Sequence, residues 1–318
     1  MTGPLRLTGH VELPPHKGKG GFDHAAVHAA TGHVYVGHTA NDAVDVFDPA
    51  SGRYLHSVTD LPGVAGAFVS DVDQLVLTTN RAADTIGVFA PLAMPGRDPV
   101  VRRLGVGVRP NGIAYDPGRR LVLAANVGDP SVAGSHTLSM VALDGSSGRR
   151  EIPVSGRTRW AIFDPGAQHT GGLFYVNIMD PAEIVVVDPR RPDRVARTFV
   201  VPHAGPHGLD LDPATGRLFC ACDAGVLVTL DASSGMVQDE KPLSGVPDVV
   251  FFNAARRQLY VAVGDPGVID VFDTTTMARL ATVETEAGAH TTALAPAGDR
   301  LYAFLPATCR AAIYEIAG

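Results

Sequence analysis

The chain has 318 residues, 45% of them hydrophobic and 19% charged, and carries a net charge of −7. Its 35 glycines and 24 prolines approach a fifth of the sequence, too many for a helical bundle, yet the hydrophobic share is too large for disorder. No apolar run reaches the roughly 18 residues of a membrane span, and the acidic balance argues against nucleic acid, because the arginine pairs Arg102-Arg103, Arg119-Arg120 and Arg256-Arg257 are scattered. Residues 1–13 lack the basic and apolar regions of a secretory leader, so the expectation is a soluble, cytoplasmic chain. Cys220, Cys222 and Cys309 are too few for a disulfide framework, and Cys220-x-Cys222 reads as two small apolar residues on one face of a strand.

In chain order, the first predicted element is a strand over residues 5–13, followed by a basic, glycine-rich loop, Lys17-Gly18-Lys19-Gly20-Gly21. From there one phrase recurs: a polar residue after Pro or Gly, an apolar strand, a turn, and a second apolar strand. Its copies begin at Phe22-Asp23-His24-Ala25, Val64-Ala65-Gly66-Ala67, Pro110-Asn111-Gly112-Ile113 and Thr158-Arg159-Trp160-Ala161. Three more begin at Pro206-His207-Gly208-Leu209, Pro247-Asp248-Val249-Val250 and Ala289-His290-Thr291-Thr292. Their second residues stand between 41 and 48 positions apart. Each copy continues through a second strand (Val34-Tyr35-Val36, Leu259-Tyr260-Val261) and a third that ends in turn chemistry such as Asp48-Pro-Ala-Ser-Gly52. Four strands per 40–50 residues make the blade of a β-propeller, so the chain is predicted to be one all-β, seven-bladed domain over residues 1–318. The last copy lacks its fourth strand, and the N-terminal strand supplies it, closing the ring without an exposed edge.

The segment Pro206-His207-Gly208-Leu209-Asp210-Leu211-Asp212-Pro213, followed by Arg217-Leu218-Phe219, resembles the repeat of the YVTN/YncE family of seven-bladed propellers. Phe174-Tyr175-Val176-Asn177 is the nearest form of that family's signature phrase, and Leu123-Ala124-Ala125-Asn126 is a degenerate one. The resemblance spans nearly the whole chain and implies architecture rather than activity. Members and more distant relatives include lactonase-type proteins, a streptogramin lyase, haem d1-type domains and plain binding scaffolds.

In a propeller the innermost strands line a central channel, and the residue that opens each of them points into its mouth. In order these are Asp23, Ala65, Asn111, Arg159, His207, Asp248 and His290. Adjacent blades bring His207, Asp248, His290 and Asp23 to one half of the rim, a set whose nitrogens and carboxylate oxygens suit a divalent ion such as Zn, Fe, Mn or Ni. His24 is an alternative ligand to Asp23. Asn111 and Arg159, opposite, are the expected grip on a carboxylate or enolate. His24 or His38 would act as general acid or base. The reading is a metal-assisted lyase or hydrolase for a small, oxygen-rich anionic substrate. The plainer readings are a hydrated polar channel, or a binding propeller that holds a protein, peptide or cofactor without catalysis. Against the last stand the polar anchors and an aromatic content of only 6%.

The other candidates carry less. His38 stands where later copies have Asn80, Asn126 and Asn177, so it also reads as a loop cap. His203 reads as a surface residue and second as an auxiliary ligand; His28, His33, His56 and His169 read as solvated turn residues. Trp160 reads as blade packing and second as an apolar wall for a ligand. The long loop Val127–His136 is an expected lid or an idle insertion. Substrate, oligomeric state and the choice between lactone opening and β-elimination are left open.

Overall fold

The computed structural model describes residues 3–91, 99–146, 148–166 and 172–317. Among the described residues, 28 strands pair into seven four-stranded antiparallel sheets, with one short 3-10 turn at Thr39–Asn41. The inner strands, one per blade, are Phe22–Val27, Val64–Ser70, Pro110–Asp116, Thr158–Asp164, Pro206–Asp212, Val246–Asn253 and Thr292–Leu294. Each lies beside the inner strand of the next blade, and the last returns to the first, so the sheets form a closed ring. The expected β-propeller is present. Its seventh blade is assembled from both ends of the chain: Leu5–Glu12 pairs with Arg310–Ile316, from Leu5 opposite Ile316 to Glu12 opposite Arg310. No helix among the described residues is long and apolar enough to cross a membrane.

Burial explains the strand types. The second strands, such as Val34–His38 and Leu173–Ile178, are buried along their whole length because a blade covers each face. Outer strands such as Val237–Pro242 face solvent and alternate only weakly. Seven apolar clusters fill the seven gaps between adjacent blades. At the closing gap, Val11 and Ile313 of blade seven pack with Phe22 and Phe47 of blade one. Cys220 and Cys222 are fully buried in the cluster between blades four and five, as small apolar side chains.

One irregularity positions the site. Six of the seven inner strands slip register at the anchor: Phe22 faces His38 but Ala25 faces Val36, and the same slip recurs at Ala65, Asn111, Arg159, His207 and Asp248. A bulge leaves residues unpaired and re-aims their side chains. Two consecutive residues can therefore face the channel, and the choice between Asp23 and His24 is resolved in favour of both.

The residue after the anchor is glycine in blades two, three and five because the next blade's backbone crosses there. A Cβ would stand 2.7 Å from the Asn111 carbonyl oxygen at Gly66, 2.4 Å from that of Arg159 at Gly112, and 2.0 Å from that of Asp248 at Gly208. Blades one and four carry rings instead, His24 and Trp160, and these project into the channel.

Candidate functional site

The channel mouth holds a polar cavity of about 110 Å³ lined by Asp23, His24, Asn111, Arg159, Trp160, His207 and Asp248, together with Arg81, Arg109 and Arg157. His207 lies at its centre of connections. Its Nδ1 is 2.7 Å from Asp223 Oδ1, the distance at which an Nδ1–H donates to a carboxylate. Its Nε2 stands 3.2 Å from both Arg159 Nη1 and Asp248 Oδ1. Neutral, the imidazole accepts there from Arg159; protonated, it donates to Asp248. Both protonation states have a partner, which is what a proton-transferring group requires. Burial opposes the charge on Asp223, but the hydrogen bond from His207 and the positive charges of His207, Arg159 and Arg157 hold its carboxyl below the ordinary range.

On the other side of the mouth, Asp23 Oδ2 accepts from Arg81 Nη2 at 2.7 Å, and Arg81 also donates to Asn111 Oδ1. Asn111 thereby turns its amide N–H groups away from Arg81. Asp23 is also 3.3 Å from His24 Nε2. Burial alone would raise the Asp23 carboxyl, yet its electrostatic interactions with His24, Arg81 and His290 hold it low.

The arginines exceed what these carboxylates need. Among the described residues, the Arg109 and Arg157 guanidinium groups make no hydrogen bond or ion pair with a protein group. Burial and then the like charges of Arg159, Arg109 and Arg81 push the Arg157 guanidinium below its usual pKa, with Asp223 opposing. Positive charges crowded this way are relieved by an anion.

The sequence expectations divide against this geometry. Asp23, His24, Asn111, Arg159, His207 and Asp248 are brought together. His290 stands at the rim, its Nδ1 donating to the Gly288 carbonyl at 2.8 Å and its Nε2 3.9 Å from Asp248 Oδ2. His38 is not part of the group. It is fully buried inside blade one, where Nδ1 meets Asp45 Oδ2 at 2.6 Å and Nε2 meets His16 Nδ1 at 2.6 Å. Like Asn126, which donates to Ser139 at 2.8 Å, it turns toward the third strand rather than the channel.

Of the other histidines, His28 is buried rather than solvated, between Thr31 and Gln74. His203 pairs with Glu240 at the surface, and His169 lies outside the described residues. Trp160 is a channel wall, its ring tilted against that of His24 with centroids 4.1 Å apart.

The expected metal finds a poor fit. Among the described residues no three His, Cys, Asp or Glu side chains are gathered as a ligand set. The Arg159 guanidinium also faces His207 Nε2, the atom a metal would need, and four arginines in one cavity disfavour a cation.

Four residues absent from the sequence expectations complete the site. Arg81 and Asp223 each follow the end of a second strand, and Arg109 and Arg157 each precede an inner strand. The same backbone bond ties these positions together in successive blades: Arg81 N–H to Gly63, Val127 to Arg109, Met179 to Arg157 and Asp223 to Gly205. The signal in the sequence was the coincidence of charge at these two loop positions of neighbouring repeats. No protein-family model matches the chain, and no curated protein matches it either.

Proposed function

We propose that the protein is a lyase or hydrolase that draws a small, oxygen-rich anion into the mouth of the channel and moves a proton with His207. The observation that carries this is the pairing of an Asp223-oriented imidazole with the Arg109 and Arg157 guanidinium groups, which make no hydrogen bond or ion pair among the described residues, on one small cavity. The arginines bind a carboxylate or phosphate on the substrate, a task their fixed planar charge suits. With Arg159 turned to the substrate, Nε2 of His207 takes a proton from a water or from a carbon next to a carbonyl and returns it to the leaving oxygen as the C–O bond breaks, while Asp223 holds the ring and stabilises its charged form. Arg159 and the amide of Asn111 then face the oxygen on which negative charge develops. Lactone opening and β-elimination both use this arrangement. The repeat phrase at residues 206–213 supports kinship with YVTN/YncE-like propellers, which bears on architecture and not on substrate.

The test is a pH-stat screen of carboxylate-bearing lactones and an absorbance screen of β-substituted acids, run on the wild type and on His207→Gln. Calorimetry with citrate and inorganic phosphate accompanies it. Turnover that falls at least about 100-fold in the variant, with the anion still bound, supports the reading. Turnover indifferent to His207, or a wild-type protein that binds neither anion, overturns it.

A further inference from the structure

Below the His24–Trp160 pair the channel continues as a second cavity of about 300 Å³, and its chemistry is the reverse of the first. Among the described residues no arginine or lysine lines it. Its walls are aliphatic side chains, the His24 imidazole and the rings of Trp160, Phe68, Phe163 and Phe251, with one carboxylate, Asp210. The position three residues after each anchor is Ala26, Phe68, Ala114, Ile162, Asp210, Phe251 and Ala293. Blades one to four and six thus place an apolar residue at that level of the ring and blade five an acid, while blade seven contributes Leu294.

Asp210 is not there to hold the fold together by an ion pair. Its Oδ1 accepts the Leu211 N–H at 2.8 Å and its Oδ2 the Phe252 N–H at 2.6 Å, while no cationic side chain among the described residues pairs with it. Each oxygen keeps a lone pair in reserve. The volume reaches the lower end of the range of small-molecule pockets. A carboxylate in an aromatic-lined cavity suits an organic cation, because ring quadrupoles and the acid attract the same charge. The arginines of the upper cavity repel that charge, so the two ends of the channel select opposite ligands.

We propose that the lower cavity is a binding site for a small organic ammonium ion with an apolar body, its nitrogen on Asp210 and its body against Trp160, Phe68, Phe163 and Phe251. Burial pushes the Asp210 carboxyl up to about 7, so above neutral pH the cavity carries a negative charge that lacks a counter-ion. This inference stands apart from the proposed chemistry at the mouth and does not need it.

The chain's one tryptophan forms a wall of this cavity and reports on it directly. The probe is 2-phenylethylamine, titrated at pH 8 against Trp160 emission, with 2-phenylethanol as the uncharged molecule of the same shape. The expected result is a saturable change with the amine at least tenfold tighter than with the alcohol. Asp210→Asn should weaken the amine at least tenfold and move the alcohol less than threefold. Ala26→Leu narrows the cavity and leaves the Asp210 carboxylate in place, so it should weaken both ligands, with circular dichroism and melting confirming that each variant is folded. The proposal fails if the wild type shows no saturable change. It fails equally if amine and alcohol bind alike, or if Asp210→Asn or Ala26→Leu leaves amine binding unchanged in folded protein.

Discussion

His24 and Trp160, from blades one and four, lie ring against ring with centroids 4.1 Å apart, and this contact separates a cationic cavity at the channel mouth from an acidic, aromatic one beneath it. His24 is 7% exposed. Burial pushes its pKa below the ordinary 6.5, and the nearby Asp23 and Asp248 carboxylates only partly offset this.

A consequence follows for stability. The unfolded chain binds a proton at this histidine below about pH 6.5 that the folded protein resists, so its contribution is present above that pH and is lost on acidification. Melting temperature should fall as pH drops from 7 toward 5, and less steeply in His24→Asn. Two-dimensional NMR of the imidazole resonances should place the His24 midpoint below those of the exposed histidines. A His24 midpoint at or above 6.5 contradicts the buried, neutral ring.

Asp223 acts through His207 and is a positioning residue. Asp223→Asn reverses the hydrogen-bond partner at Nδ1 and favours the wrong tautomer. It should lower kcat at least tenfold with KM nearly unchanged, and move the acid limb of the kcat–pH profile. A purely structural role would instead lower the melting temperature and leave the profile of the surviving activity in place.

Gly208 is required by the next blade. The Cβ of Gly208→Ala would meet the Asp248 carbonyl oxygen at 2.0 Å and Val250 Cγ2 at 2.8 Å, so the inner strand of blade six must retreat. Over-packing of this kind costs about 1–3 kcal/mol, readable by denaturant unfolding. Because the displaced strand carries Asp248, activity should fall more than stability alone accounts for. Gly105→Ala is the control, since nothing lies within 4 Å of its Cβ position and its backbone is outside the left-handed region.

The fit of the donor set bears on metals. Protein purified without tag or chelator should contain well under one equivalent of any transition metal by plasma emission. Dialysis against EDTA should leave turnover within twofold. Near-stoichiometric metal that disappears in His290→Ala would move the chemistry onto an ion at the rim and displace the metal-free reading.

The propeller was legible because its repeat is a property of the backbone. Each copy must present an apolar inner and second strand and a turn, so the spacing from Asp23 to His290 marks the blades, and the missing strand at the C-terminus finds its match at residues 5–12. The anchors were legible for the same reason, since Asp23, Ala65, Asn111, Arg159 and His207 are each the second residue of their blade's inner strand.

The sequence by itself thus determined the ring, its closure and six of the residues that meet at the mouth: Asp23, His24, Asn111, Arg159, His207 and Asp248. Tertiary structure decided the rest. Arg81, Arg109, Arg157 and Asp223 arrive from loops, and their long or turned side chains enter the cavity by a route that strand periodicity does not encode. His38 shares the polar character of the anchors, but the pleat turns it toward Asp45 inside its own blade, where burial and two short hydrogen bonds fix it. The division of the channel depends on a contact between blades one and four, 136 residues apart in the chain. Only the radius of the closed ring brings those two rings within van der Waals reach.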